Sequence, residues 1–174
     1  MTVSRFLLVL LLATGCTPAS TALSDAGRKA VADEVRAANG ALVDALNAHD
    51  ADGVLALYET GPQFQYVGCT SVIPTSDVFG SITRGYLRQH PDVTYGMVVT
   101  ALEVLDRDVA VSTLQGESDS LQLFTTRVWR RGEDGSWKVA YEHESWPGCK
   151  APTMPHPGTA PGDTAGLEPA PIGG

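Results

Sequence analysis

The chain of 174 residues carries 12 Lys and Arg against 20 Asp and Glu, a net charge of −8, and 43% of its residues are apolar. That length accommodates one ordinary domain and not two. An acidic chain without a basic run is poorly suited to nucleic acid or to electrostatic capture by anionic lipid, because it lacks the positive potential that either requires.

Arg5 precedes a short apolar run, residues 6–13. A membrane-spanning helix needs roughly 20 apolar residues, whereas a run of about 7–15 after a basic start fits a signal-peptide core. The run ends in Leu12-Ala13-Thr14-Gly15-Cys16, which resembles the lipobox of bacterial lipoproteins, where small residues precede a cysteine that is acylated and becomes the first mature residue. Residues 1–15 are therefore expected to be a lipoprotein signal peptide, Cys16 the lipidation site and residues 16–23 a lipidated tether. The expected location is the bacterial cell envelope, on the periplasmic or outer-surface side, with the membrane reached through the N-terminal lipid. An ordinary secretory leader cut near Ala19 or Ala22 is the alternative, and it also implies export. Three cysteines are an awkward number for an exported chain. Assigning Cys16 to a lipid leaves Cys69 and Cys149, either bridged or as two separate thiols.

Ser24 and Asp25 are favourable helix caps, and Val31, Val35, Ala38, Leu42 and Ala45/Leu46 recur at steps of four and three, which marks one apolar helix face. The pattern breaks at His49-Asp50-Ala51-Asp52-Gly53 and resumes at Val54, Leu57 and Tyr58 as a shorter helix, which Gly61-Pro62 stops. Residues 63–67 alternate as a strand, and Val72-Ile73 is a short return strand. Ser76-Asp77 caps a third helix that turns Phe79, Ile82, Tyr86 and Leu87 inward. Period-two patterning then predicts strands over 94–105, 109–115, 121–130 and 136–145, with turns at 106–108 and 132–135. Residues 116–120 read as a loop. Residues 147–174 hold Pro, Gly, Ala and Thr with hardly any aliphatic side chains, so the expectation is a disordered tail, with His156 solvated within it.

Helices followed by a run of antiparallel strands specify an α+β domain over residues 24–146, three helices on one face of a curved, mainly antiparallel sheet. The element order, the phrase Asn47-Ala-His-Asp-Ala-Asp-Gly-Val-Leu-Ala-Leu-Tyr58 and the ending Trp137-Lys-Val-Ala-Tyr-Glu-His-Glu-Ser145 resemble the SnoaL-like branch of the nuclear transport factor 2-like superfamily. The resemblance implies a cone, in which a mixed sheet wraps around the first helix and leaves a pocket between its concave face and the helices. It also implies that the first strand lies beside the last. That topology brings Cys69 and Cys149 within reach of a disulfide.

Strict alternation along the last strand puts Trp137, Val139, Tyr141, His143 and Ser145 on one face and Lys138, Ala140, Glu142, Glu144 and Trp146 on the other. The second set is mostly charged, so the first is expected to face the pocket, joined by Phe124, Thr126 and Val128 from the neighbouring strand and by Phe64 and Tyr66 from the first. Trp129 and Trp146 then fall on the outer face, where an apolar patch would suit a homodimer. His143 is the candidate general acid or base, since imidazole titrates near neutrality.

The isomerases of this superfamily use a pocket aspartate, but residues 63–67 contain no acid, and Glu103, Glu117 and Asp119 are the remaining strand-associated acids. Glu142-His143-Glu144 splits its carboxylates from its imidazole across the strand, so no metal site is expected, and no cofactor motif is present. The sequence reading is a noncatalytic module that binds a small apolar molecule or pairs with a second copy; the alternative is an isomerase, cyclase or dehydratase acting through His143.

Overall fold

The computed structural model describes residues 22–69, 71–118 and 121–149. The signal peptide, Cys16, all but the last two tether residues and the tail from 150 onward, His156 included, lie outside the described residues.

The chain forms α1 (Asp25–Asn47), α2 (Ala51–Ala56), β1 (Gln65–Gly68), β2 (Ser71–Ile73), α3 (Ser76–Gln89), β3 (Tyr95–Asp106), β4 (Val109–Ser118), β5 (Leu121–Arg131) and β6 (Trp137–Ser145). Each helix begins where a side-chain oxygen accepts from an otherwise unpaired backbone N–H: Ser24 from Gly27 (3.2 Å), Asp50 from Gly53 (2.9 Å) and Thr75 from Val78 (3.3 Å). The third cap is thus Thr75, one residue before the expected Ser76-Asp77 start. Val31, Val35 and Leu42 form the buried stripe of α1. Burying each such side chain contributes about 1.5–3 kcal/mol, so tertiary contact with the sheet holds α1 in place.

The sheet has six strands in the order β2-β1-β6-β5-β4-β3. Among the described strands β1 and β6 run parallel and the other neighbours are antiparallel. The α+β expectation holds, as does the placement of the first strand beside the last. At one end of the cone Val31, Val35, Ala110, Trp129, Trp137 and Val139 pack into a closed core. Trp129, expected on the outer face, is fully buried and donates its indole N–H to Ser112 Oγ at 2.9 Å.

Two local features depart from the sequence reading. Strand β4 continues through Gly116 to Ser118 where a loop was expected. Gly116 lies opposite Met97, and the backbones approach so closely there that a Cβ on Gly116 would collide with the Gly96 carbonyl oxygen. The glycine marks a close strand approach and not a turn.

The second feature is a β-bulge in β6. Trp129 pairs with Val139 and Val128 with Tyr141, so Ala140 is an extra residue without a partner on β5. Its other edge explains the position. Val139 donates its N–H to Leu57 O (2.8 Å) and its carbonyl accepts from Glu59 N (2.9 Å), whereas from Tyr141 onward β6 pairs with β1. Ala140 sits at the hand-over between these two neighbours, and beyond it the alternation of β6 is inverted.

Candidate functional site

Because of the bulge, Arg127↔Glu142 and Thr125↔Glu144 are the pairs that face the helices, while Val128↔Tyr141, Thr126↔His143 and Phe124↔Ser145 face outward. This corrects the expected pocket set. His143 and Phe124 are exposed, and Tyr141, Ser145, Thr126 and Val128 are half-buried on the outer face. An imidazole there has no access to a molecule held inside the cone. Trp137 points inward but belongs to the closed end, where its indole donates to Glu34 Oε2 (2.9 Å) beneath the Arg131 guanidinium. Phe64 is buried against Tyr58 and Phe79, behind the cavity wall. Tyr66 is the expected pocket residue that does line the cavity.

The cavity, about 290 Å³, opens at the end of the cone opposite the tryptophan core. Leu46, Ile73, Phe79, Leu87, Met97 and Leu123 supply apolar wall, and Tyr66, Tyr86, Tyr95 and Trp146 supply aromatic surface. Exposed Ile82, Tyr86 and Leu121 rim its mouth. Asn47 fixes α1 there, donating to Tyr95 O (3.0 Å) and accepting from Tyr95 N (2.7 Å). Trp146, expected on the outer face, follows the inverted alternation inward.

At its base the cavity meets a buried polar chain. Glu142 Oε2 accepts from the Tyr58 hydroxyl at 2.6 Å and from Arg127 Nε at 2.8 Å. Arg127 Nη1 donates to Asn39 Oδ1 at 3.0 Å, and Asn39 Nδ2 donates to Val35 O (3.2 Å) and Ser112 Oγ (3.4 Å). Both members of the Arg127–Glu142 pair are 2% exposed. Burial works against the Arg127 charge, but neighbouring Glu142 more than restores it and holds the guanidinium protonated. Burial, reinforced by Glu142, pushes the Tyr58 phenol well above its usual range, so it stays a donor.

Glu144 is different. Burial first, and then repulsion from Glu142, push its carboxyl up to about 7, against the opposing pull of Arg127 and the Tyr66 hydroxyl. The same burial, together with Glu144 and Glu142, raises the Tyr66 phenol. Thr125, buried opposite Glu144 in the ladder, has a hydroxyl without a hydrogen-bond partner among the described residues. A carboxyl that changes charge near neutrality is therefore set beside the Arg127–Glu142 pair in a mainly apolar and aromatic cavity.

A stability profile tests this assignment. The ordinary carboxyl value is 4.5 and the folded one about 7, so between these limits the folded state binds more protons than the unfolded one. Stability contributed by Glu144 is present below about pH 4.5, falls as pH rises to about 7 and is level above it. Urea midpoints of the wild type and Glu144→Gln, taken from pH 4.5 to 8, should therefore differ by a curve that moves in favour of the variant as pH rises. Parallel profiles would refute the assignment.

The SnoaL-like domain model matches residues 35–148. The chain belongs to the SnoaL-like domain family. Solved structures agree on the fold. An NTF2-like protein of unknown function from Pseudomonas putida KT2440 superposes with a TM-score of 0.60 at 15% identity, covering 67% of this chain and 87% of that one. A ketosteroid isomerase-like protein from Erwinia carotovora atroseptica SCRI1043 gives 0.55 at 17% identity, covering 66% and 95%. An NTF-2 like protein of unknown function from Shewanella oneidensis MR-1 gives 0.56 at 16% identity, covering 65% and 97%. No curated protein sequence matches the chain. At these identities the likeness establishes the nuclear transport factor 2-like fold alone.

Within this SnoaL-like domain the sequence reading missed Glu142, Glu144, Arg127 and Asn39. One signal was available. Asn39 lies four residues after Val35 and three before Leu42, within the apolar stripe of α1, and a polar residue there must meet a buried partner. The bulge at Ala140 leaves no comparable mark.

Proposed function

We propose that this SnoaL-like domain is a binding module, exported and held at the bacterial cell envelope by a lipid on Cys16, that takes a small, largely apolar molecule into its cone. The observation that carries the reading is the open cavity of about 290 Å³, walled mainly by apolar and aromatic side chains above a polar floor of Arg127, Glu142 and Glu144. Its size lies near the lower end of the roughly 300–1,000 Å³ common for small-molecule sites, which favours a compact ligand. The lipobox-like run before Cys16 supports the anchor. Pairing of two copies across the outer sheet face is supported by Val98 and Phe124, 66% and 42% exposed, beside half-buried Val111, Val128 and Tyr141. The isomerase, cyclase or dehydratase alternative built on His143 is not carried forward, because that ring faces away from the cavity.

Native mass spectrometry of the intact protein recovered from a bacterial envelope reads all three parts. We expect acylated Cys16 as the first residue, a copurified small molecule and a dimer. The molecule should be absent from Leu123→Trp, in which an indole fills space at the cavity wall while circular dichroism stays unchanged. Cleavage at Ala19 or Ala22 sinks the anchor, a molecule retained by the variant sinks the pocket, and a monomer at high concentration sinks the pairing.

A further inference from the structure

The charge inside the cavity constrains what it accepts. Among the described residues that line it, two carry carboxyl groups, Glu142 and Glu144, and one carries a permanent cation, Arg127; none of these described residues is a lysine or histidine. The Arg127 guanidinium is already committed, with Nε and Nη2 on Glu142 (2.8 and 3.5 Å) and Nη1 on Asn39. Glu144 has no salt-bridge partner among the described residues. When ionised it leaves the cavity one negative charge in excess. The wall near it is aromatic, with Tyr66, Tyr86, Tyr95 and Trp146, and the faces of such rings attract cations.

We propose that the cavity takes a small hydrophobic amine, bound as its ammonium ion, with the Glu144 carboxylate as counter-ion and the aromatic wall around the charge. This rests on the reading of the cone as a ligand pocket and specifies the ligand class. A carboxylate ligand of the same shape adds a second uncompensated anion to a site of low dielectric, where an unpaired charge is unfavourable. A neutral ligand gains the apolar contacts but leaves Glu144 without a charged partner. An ammonium ion satisfies both the charge and the rings.

Binding is then linked to protons. Among the described residues the titratable groups around Glu144 are Glu142 on its own strand, Arg127 on β5, Tyr66 on β1, Tyr58 after α2, Tyr86 on α3 and Tyr95 on β3. Arg127 keeps its proton, and burial holds Tyr58, Tyr66 and Tyr95 in the phenol form. Glu144, at about 7, is the group that changes charge near neutrality. Below that pH it must lose a proton when the ammonium ion enters, so affinity falls by about tenfold for each pH unit. Above it affinity is level until the amine itself titrates, near 10 for an alkylammonium.

The test uses three probes of one shape, 4-phenylbutylamine, 4-phenylbutanol and 4-phenylbutyrate, titrated calorimetrically into the full chain at pH 8 and pH 5.5. At pH 8 the amine should bind at least tenfold more tightly than the alcohol, and the carboxylate more weakly than either. At pH 5.5 the advantage of the amine over the alcohol should shrink at least tenfold. In Glu144→Gln it should vanish at both pH values while the alcohol still binds. Equal binding of amine and alcohol by the wild type at pH 8 overturns the amine assignment and leaves the pocket standing. Failure of all three probes overturns the pocket and the amine together. The pH comparison is made on the unaltered protein, so it decides the question even where the variant does not fold.

Discussion

Arg127→Met destabilises the domain by about 3–5 kcal/mol, the loss expected when one partner of a buried ion pair is removed and the other remains. Methionine keeps much of the length and the apolar stem of arginine, so the loss is electrostatic and not a cavity effect. Glu142, 2% exposed, then has the Tyr58 hydroxyl as its remaining close donor, and Asn39 Oδ1 loses the donor it had in Arg127 Nη1. The companion variant separates these causes. Arg127→Met with Glu142→Leu removes both charges, and replacing a buried pair by apolar side chains is often neutral, so the double variant should regain most of the loss. Urea midpoints at unchanged slope measure both. A single variant within about 1 kcal/mol of wild type would mean that water or local rearrangement already solvates the pair.

The second large effect concerns the bridge. Cys69 and Cys149 are disulfide-bonded, with Cα atoms 5.5 Å apart and a separation of 80 positions in sequence. For a loop of that length the chain-entropy estimate of stabilisation is about 4 kcal/mol. The structure shows which region depends on it. β1 and β6 share a ladder of three residue pairs, Gln65↔Tyr141 to Val67↔His143, and within the described sheet β2 pairs with β1. The bridge fastens that two-strand edge to the segment after β6, and the edge supplies Tyr66 and Ile73 to the cavity. Cys69→Ser with Cys149→Ser should therefore lower the urea midpoint and speed amide exchange in β1 and β2, while β4 and β5 keep their protection. Unfolding free energies of the bridged and serine forms that agree within about 0.5 kcal/mol would show that the edge is held by packing alone.

Much of the scaffold was legible because it is written in local periodicity. Val31, Val35 and Leu42 mark α1, and the alternating segments mark β3 to β6 within a few residues. The cysteine pairing was implied by the resemblance to SnoaL-like domains, which placed the first strand beside the last. The cavity floor was not legible, because one residue decides it. Ala140 is small, buried and unremarkable in sequence, yet as the bulge it moves Glu142 and Glu144 inside and Tyr141 and His143 outside. Its position is set by contacts of β6 with two segments distant in sequence, Leu57–Glu59 and β1, which periodicity along β6 does not record. The charge of Glu142 and Glu144, taken as a sign of solvent exposure, pointed the wrong way for the same reason: their environment includes Arg127, fifteen residues from Glu142.

Helix α1 also gives the molecule a polarity. Its first turns lie at the closed end, where Arg28 reaches Val104 O and Glu34 meets Arg131 and Trp137. Its last residue, Asn47, is beside the mouth, and 23 helical residues separate the two ends by about 35 Å. With the proposed lipid on Cys16, a chain that enters α1 at its first turn would place the closed end nearer the bilayer and the opening toward the aqueous side. The proposed ligand would then enter from solution, at a stand-off from the lipid set by the length of a single helix.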